Sequence, residues 1–477
     1  MGEAPAGRPA GGLRARLHAG FVEPVLFGLY LTGLAWLPLW YGSNDPIAWG
    51  ANAVLFPGLA ILYELSLLAR GKGHPVGMRE LALPASLFAA VVGWIALQTV
   101  GWRGGPLVNP VWSMAAEALG RPLAGSITAD RELTDLALLR LITAAAAFWL
   151  SVQLCRDGAR ARLLLVAVAS IGALYAAYGI VAAKAGQVPW LDIPPSGGKV
   201  TSTFVNHNSF GAYAGIALVA AAALILRHYQ GELDGASGSR RHQLALLIEA
   251  SGSEGAPMLA AGFVLLVGLL LTGSRGATIA AGTAMVALGF LMRHRDPERS
   301  RQSLGTIALG LGIVGAAVFA FGDTVGAALE ARGVSDASRL AVYRLTLRSI
   351  FDVPLWGYGY GTFAAVFPMY RDRSLGIDGT WGQAHDTYLE VLQGLGLVFG
   401  PMLIACVALL VLRCIKGARR RRENAIVPQV AASAACLVGV HSLVDFSLQI
   451  QAVALTFVAL LGAGVAQSES SRLVLED

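Results

Sequence analysis

Runs of about 20 predominantly apolar residues, the length a helix needs to cross a hydrocarbon core, recur along most of the chain. In lipid every backbone N–H and C=O must be satisfied internally, so only helices and closed barrels span a membrane. This feature confines the chain to a polytopic membrane protein. Aromatics make up 8% of the residues and no ten-residue alternating pattern is present, which argues against a barrel; the predicted class is all-α. Only 14% of the 477 residues are charged, against about 25% in an ordinary soluble protein. That is too few to wet the surface of so long a chain, and it excludes a soluble enzyme and a disordered protein.

Twelve spans are predicted, at approximately 21–41, 47–69, 80–101, 134–155, 160–183, 208–227, 257–273, 277–292, 303–322, 388–412, 426–444 and 450–466. The first follows an Arg-bearing tail, but it is too long for a signal core and no small-residue cleavage site closes it, so it is read as retained. Cytoplasmic loops carry an excess of Lys and Arg, which tests the threading. The N-terminus and the connections on its side hold 22 of the 36 Lys and Arg; the opposite set holds 12, six of them in the loop 323–386. Alternation survives across all twelve spans and puts both termini in the cytoplasm. The net charge of +6 therefore belongs to inner loops, not to a nucleic-acid surface. The four cysteines (Cys155, Cys406, Cys414, Cys436) lie in or beside apolar runs without paired spacing and read as packing residues.

The outer loop 323–386 is far longer than a connector requires. In it Leu340, Tyr343, Leu347 and Ile350 recur at helical spacing, with Arg344 and Arg348 on another face. The spacing predicts a helix at the membrane surface, apolar side down.

The histidines separate into two groups. His18, His74, His228, His242 and His294 fall in inner segments among polar residues and read as solvated. His207, His385 and His441 lie near the outer ends of spans with polar neighbours: Asn206 and Asn208; Gln383 and Asp386; Ser442 and Asp445. Ionisable groups at such depth are costly and tend to be functional. His385 could accept a proton from a sugar hydroxyl with Asp386 or Glu390 orienting its ring; the competing reading is a structural, interface histidine. His441 and Asp445 stand one helical turn apart, as a satisfied pair or as support for a site. Asn206, His207 and Asn208 could hold a sugar or cap a helix. Arg140 is expected to pair with Asp135 or to snorkel.

Arg275, in Leu271-Thr-Gly-Ser-Arg-Gly276, could reach lipid headgroups, but Arg339, Arg344 and Arg348 lie on the same side. Guanidinium groups bind phosphate oxygens bidentately and stay charged without a metal, so two converging arginines at the outer leaflet would suit a lipid-linked diphosphate. No Walker loop, Rossmann glycine pattern, HExxH, outer-loop Asp-x-Asp or cluster with metal-ligand spacing is present. Their absence weighs against nucleotide-driven transport and metal-dependent sugar transfer; no cofactor and no metal are expected.

Four stretches taken in order resemble the O-antigen ligase and O-antigen polymerase superfamily of bacterial envelope proteins: Phe204-Val-Asn-His-Asn-Ser-Phe-Gly-Ala-Tyr213; Leu271-Thr-Gly-Ser-Arg-Gly276; Ser338-Arg-Leu continuing to Pro354-Leu-Trp-Gly-Tyr-Gly-Tyr-Gly361; and His385-Asp-Thr-Tyr-Leu-Glu390 with Gly394-Leu-Gly396. The resemblance covers about 200–400. It implies a multi-pass protein of the bacterial inner membrane with its active site on the periplasmic face. There a glycan on undecaprenyl diphosphate would be transferred, without a metal and with inversion, to lipid A–core or to another repeat unit. By the same resemblance His385 is the catalytic histidine, Arg275 the first diphosphate-binding arginine, and Arg339 the second, with Arg344 in reserve. The chain then divides into a cytoplasmic tail (1–20), N-terminal helices (21–200), a catalytic region (201–412) and C-terminal helices with a cytoplasmic tail (413–477). One departure is Asp386, where the family commonly has Asn after the histidine; an acidic neighbour is expected to raise the imidazole pKa. The alternatives are a transporter of a small solute or anion, weakened by the lack of broken-helix pairs or repeat symmetry, and a scaffold in which Arg275 and His385 would be silent.

Overall fold

The computed structural model describes residues 11–186, 198–233, 249, 251–252, 255–292, 312, 335–375, 380–421 and 425–468. Regular structure there is helical apart from one isolated antiparallel bridge, Trp102 to Gly125. The helices are α1 (Gly11–Trp36), α2 (Pro46–Arg70), α3 (Ala82–Thr99), α4 (Val111–Leu119), α5 (Arg131–Leu154), α6 (Gly158–Ala185), α7 (His207–Leu233), α8 (Gly255–Leu271), α9 (Arg275–Met292), α10 (Ser335–Asp352), α11 (Phe363–Val366), α12 (Thr387–Arg420), α13 (Ile426–His441) and α14 (Gln451–Ser468).

Among the described residues eight helical segments are long and apolar enough to cross a membrane: α2, α3 with the turn before it (Met78–Thr99), α5, α6, α7, α9, α12 and α14. Three more predicted spans fall on shorter apolar helices, Phe21–Trp36 of α1, α8 and α13. The twelfth, 303–322, lies outside the described residues except for residue 312, as do the first ten residues of the tail and parts of the long loop (323–334 and 376–379). The chain is thus an all-helical, multi-pass membrane protein.

Local sequence sets the helix starts. Asp45, Asp130, Asp157 and Asp386 each accept a backbone N–H of the first turn at 2.9–3.0 Å, and Asn206 does the same for Ser209 at the head of α7. Each such cap satisfies a donor the helix cannot. Helices α7 and α14 are apolar on all sides and lie at the centre of the bundle, the position such a helix demands. The outer helices turn apolar side chains outward: Val54, Leu68, Leu174 and Phe263 are each more than two-thirds exposed, as expected where the solvent is hydrocarbon. Small residues let the central helices approach closely; a Cβ on Gly211 of α7 would come within 2.8 Å of Ala277 on α9. At the other end, Glu23 of α1 accepts from Arg70 and Arg160 at 3.0 and 2.9 Å and ties α2 and α6 to it. All four cysteines are free and packed among apolar neighbours.

Helix α12 breaks at Gly396, whose φ of 72° and ψ of 179° no side-chain-bearing residue adopts readily. A broken backbone at membrane depth must find partners within the protein, and here the segment 354–361 supplies them. Tyr358 and Gly359 N–H donate to the carbonyls of Gln393 and Gly394 at 2.9 and 3.1 Å, and Leu397 N–H donates to Pro354 O at 2.6 Å. Gln98 of α3 donates to Trp356 O and Gly394 O, each at 3.0 Å. Two glycine-rich stretches far apart in sequence are therefore halves of one joint, which fixes the long loop against the helix that carries His385 at its head.

Helix α10 forms where the spacing placed it. Of its predicted apolar face Leu340 and Leu347 are exposed, as a face turned to lipid would be, and Ile350 is buried with Val342, Leu345, Thr346 and Ser349 toward the α11 and α12 side. Thr346 and Ser349 tolerate burial because their hydroxyls donate to Val342 O and Thr346 O at 2.8 and 2.7 Å. Arg140 neither pairs with Asp135 nor snorkels: its guanidinium stacks 4.5 Å from the Trp49 ring and donates to Gln449 O. His74 is an exposed loop residue as expected, and it also bonds Glu64 at 2.8 Å and packs edge-on to Trp149.

Candidate functional site

The ends of α7, α9, α12 and α13, with the outer part of α10, meet at one end of the bundle. His385 sits immediately before α12 in a left-handed backbone conformation, φ 57°, which costs a non-glycine residue about 1–2 kcal/mol. Three contacts hold it there. Tyr343 of α10 donates its hydroxyl to His385 O at 2.9 Å. Trp381 and Phe446 flank the imidazole edge-on, with centroids 5.4 and 5.0 Å away. Glu390, one turn into α12, accepts the N–H of Ala384 and the side-chain amide of Gln449.

The ring is oriented by a backbone carbonyl, not by a carboxylate as expected. Nδ1 faces Gln383 O at 3.2 Å. Asp386 is occupied in capping α12 through Leu389 N–H, and Glu390 holds backbone, not ring. A carbonyl partner requires the proton on Nδ1 and leaves Nε2 with its lone pair. The expected rise in imidazole pKa is also corrected. Burial and the Arg339 guanidinium hold His385 below the ordinary histidine value, with Asp445 and the Gln383 bond pulling the other way. The imidazole is therefore neutral at pH 7. Burial pushes the Asp386 carboxyl up, opposed by the N–H groups it caps.

Arg339 and Tyr343 are four residues apart on α10, so they share a face about 6 Å apart; the bond from Tyr343 to His385 brings Arg339 to the imidazole. The Arg339 and Asp445 charges both reach His207, His385 and His441. His441 ends α13 against the first turn of α9: a Cβ on Gly276 would lie 3.5 Å from its ring and 2.9 Å from Val444. Its Nδ1 stands 3.9 Å from Asp445 Oδ2, beyond hydrogen-bond range, because Ser447 takes that oxygen at 2.6 Å. The satisfied His441–Asp445 pair is thus not formed. His441 Nδ1, Asp445 Oδ1 and His207 Nδ1 are all buried without a hydrogen-bond partner, an unusual concentration.

Arg275 is the first residue of α9, after Ser274, whose hydroxyl caps the helix by accepting Ala277 N–H at 3.3 Å. Arg344 turns elsewhere: it is exposed and bonds Asp372 at 3.4 Å and Ser374 at 3.2 Å. Asn206 caps α7, and Asn208 is half-buried on its first turn. The structure adds Lys199, whose stem packs 3.5 Å from a Cβ placed on Gly273 and whose charge reaches His207. Its sequence signal was a lone lysine just before Thr201-Ser-Thr. Gln449, bonded to Glu390, had no sequence signal, whereas Gln383 was already marked as a polar neighbour of His385. Among the described residues no group of three His, Cys, Asp or Glu side chains is arranged to hold a metal ion.

Fold and site together define a helical multi-pass membrane protein with imidazoles, guanidinium groups and unpartnered polar atoms gathered at one end of the bundle. Residues 260–399, a segment that includes Arg275, Arg339 and His385, match the family model described as O-antigen ligase. No curated protein matches the chain.

Proposed function

We propose that the protein is a metal-independent, inverting glycosyltransferase of the bacterial inner membrane, transferring a glycan from undecaprenyl diphosphate to a hydroxyl of lipid A–core or of another repeat unit at the periplasmic face. In this reading the acceptor hydroxyl loses its proton to His385 Nε2 as its oxygen attacks the anomeric carbon. The bond from that carbon to the diphosphate breaks with the electron pair on the leaving oxygen. Arg275 and Arg339 offset the charge that develops there, so no general acid is needed, and attack opposite the leaving group inverts the anomeric centre. Asn206, His207, Asn208, His441 and Asp445 would contact the glycan or steady the site, while Asp386 and Glu390 hold the loop.

The single observation that carries this reading is the placement of His385: half-buried, with Nδ1 on Gln383 O at 3.2 Å and within the field of the Arg339 charge. Arg275 supports it independently. A cation on the first turn of a helix opposes the macrodipole, an unfavourable arrangement that a bound diphosphate would reverse, since helix N-termini favour phosphate. The test is transfer by purified protein in chelator-treated buffer from lipid-linked donor to lipid A–core and, in a parallel reaction, to a lipid-linked repeat unit, with mass and anomeric configuration of the product read out. An inverted product and free undecaprenyl diphosphate are expected; no transfer to either acceptor class, or a retained configuration, would overturn the reading.

A further inference from the structure

A second concavity lies apart from His385, between the first turn of α4, the C-terminal end of α10 and the segment around Tyr370. Its volume is about 440 Å³, and Asn109, Met114, Arg348, Asp352, Tyr358 and Tyr370 are among the residues that line it. Small-molecule sites span about 300–1,000 Å³, so the space suits one or two sugar rings.

Its lining has the mixed character a pyranose requires. Tyr370 supplies the accessible aromatic ring, backed edge-on by the buried Tyr358 ring at 77° with centroids 6.1 Å apart, and Met114 and Met369 add apolar walls that are 66% and 53% exposed. The two tyrosine hydroxyls bond each other, and Tyr370 donates on to Asp352 Oδ2 at 2.8 Å. That leaves Asp352 Oδ1 and the Arg348 guanidinium to meet sugar hydroxyls as acceptor and donor.

The position supplies the second argument. Tyr343, bonded to His385, and Asp352, in the cleft wall, lie on the same helix nine residues apart, roughly 14 Å along its axis and half a turn around it at 3.6 residues per turn. The cleft is therefore separate from the reaction centre, on the other side of α10, within reach only of an oligosaccharide that extends past the helix.

We propose that this cleft is a saccharide subsite that holds a sugar remote from the reaction centre and so favours longer glycans. It rests on the transferase reading for the identity of the reaction, and the glycan it holds belongs either to the donor or to the acceptor. Met369→Trp fills the cleft from its exposed rim. Wild type and M369W in nanodiscs are assayed with saccharides of one, two and three or more sugars, once as lipid-linked donor and once as acceptor. In one arm the ratio of KM for long over short chains is expected to rise at least tenfold in M369W, and that arm identifies the source. An equal change for long and short chains in both arms, or no change, overturns the subsite. If M369W is not monodisperse, Tyr370→Phe replaces it, with at least a threefold rise in the same ratio expected and no rise overturning. Native mass spectrometry with the free saccharide released by mild acid from the cells' lipid-linked pool separates this from the reaction itself. Wild type and His385→Ala are expected to bind it and M369W to lose it, even if no transfer is ever seen. Binding that survives in M369W, or is absent in wild type, overturns the subsite while leaving the transferase reading to its own assay.

Discussion

Glu390→Gln tests how the His385 loop is held. The carboxylate accepts two hydrogen bonds, from Ala384 N–H and from the Gln449 amide. The amide that replaces it keeps one acceptor and turns a donor toward the other partner, so one of the two is left unmet. A buried group without its partner costs about 1–3 kcal/mol. The same interactions hold His385 at φ 57°, a conformation that itself costs about 1–2 kcal/mol, so the loop has a ready route to relax. If the docked loop is the competent one, that loss appears in kcat as roughly a 5- to 150-fold decrease at 1.36 kcal/mol per decade. The donor KM stays within about twofold, because Glu390 meets no phosphate group. The assay is single-turnover transfer in nanodiscs with thermal unfolding in parallel. The pH profile is expected to keep its acid limb, since Glu390 is not among the charges that act on His385. Wild-type kcat in a folded E390Q protein, or a shifted acid limb at full amplitude, would refute the reasoning.

Other outcomes follow from the same geometry. Because burial and Arg339 lower the His385 pKa, the neutral base persists at pH 7 and is lost only as pH falls through its depressed value; kcat/KM should be flat at neutrality and fall on the acid side. Arg339→Gln removes one cause of the depression, so the acid limb should move to higher pH; a limb that stays put refutes the assignment. Asp386→Asn keeps the cap on α12 and should retain most activity, whereas Asp386→Ala should lose about 1 kcal/mol of stability, measured by thermal melts; equal losses in both would show that the charge itself matters. Gly276→Ala pushes a methyl to 2.9 Å from Val444 and 3.5 Å from the His441 ring, and overpacking of this kind costs about 1–3 kcal/mol; an unchanged melting temperature contradicts the packing.

The helices were legible because lipid leaves a long apolar run only one way to satisfy its backbone. Imidazoles and guanidinium groups were legible at the ends of spans because their cost there needs a reason. What holds His385 was not. A carbonyl such as Gln383 O has no side-chain signature, and Gln449 reaches Glu390 across 59 residues of sequence. The protein-facing side of α10 was not legible because Thr346 and Ser349 bond their own helix and so bury at little cost. Arg339 and Arg344 could not be ranked from spacing alone; the Tyr343 bond to His385 and the Asp372 partner of Arg344 distinguish them.

The most direct test of the central claim compares donor binding and single-turnover transfer in His385→Ala, Arg275→Ala and Arg339→Ala with wild type. The account predicts that H385A binds lipid-linked donor normally but transfers at least about 10²-fold more slowly, the contribution expected of a lost general base, while R275A and R339A weaken donor binding. Transfer by H385A at the wild-type rate, or undiminished donor binding by both arginine variants, would contradict it.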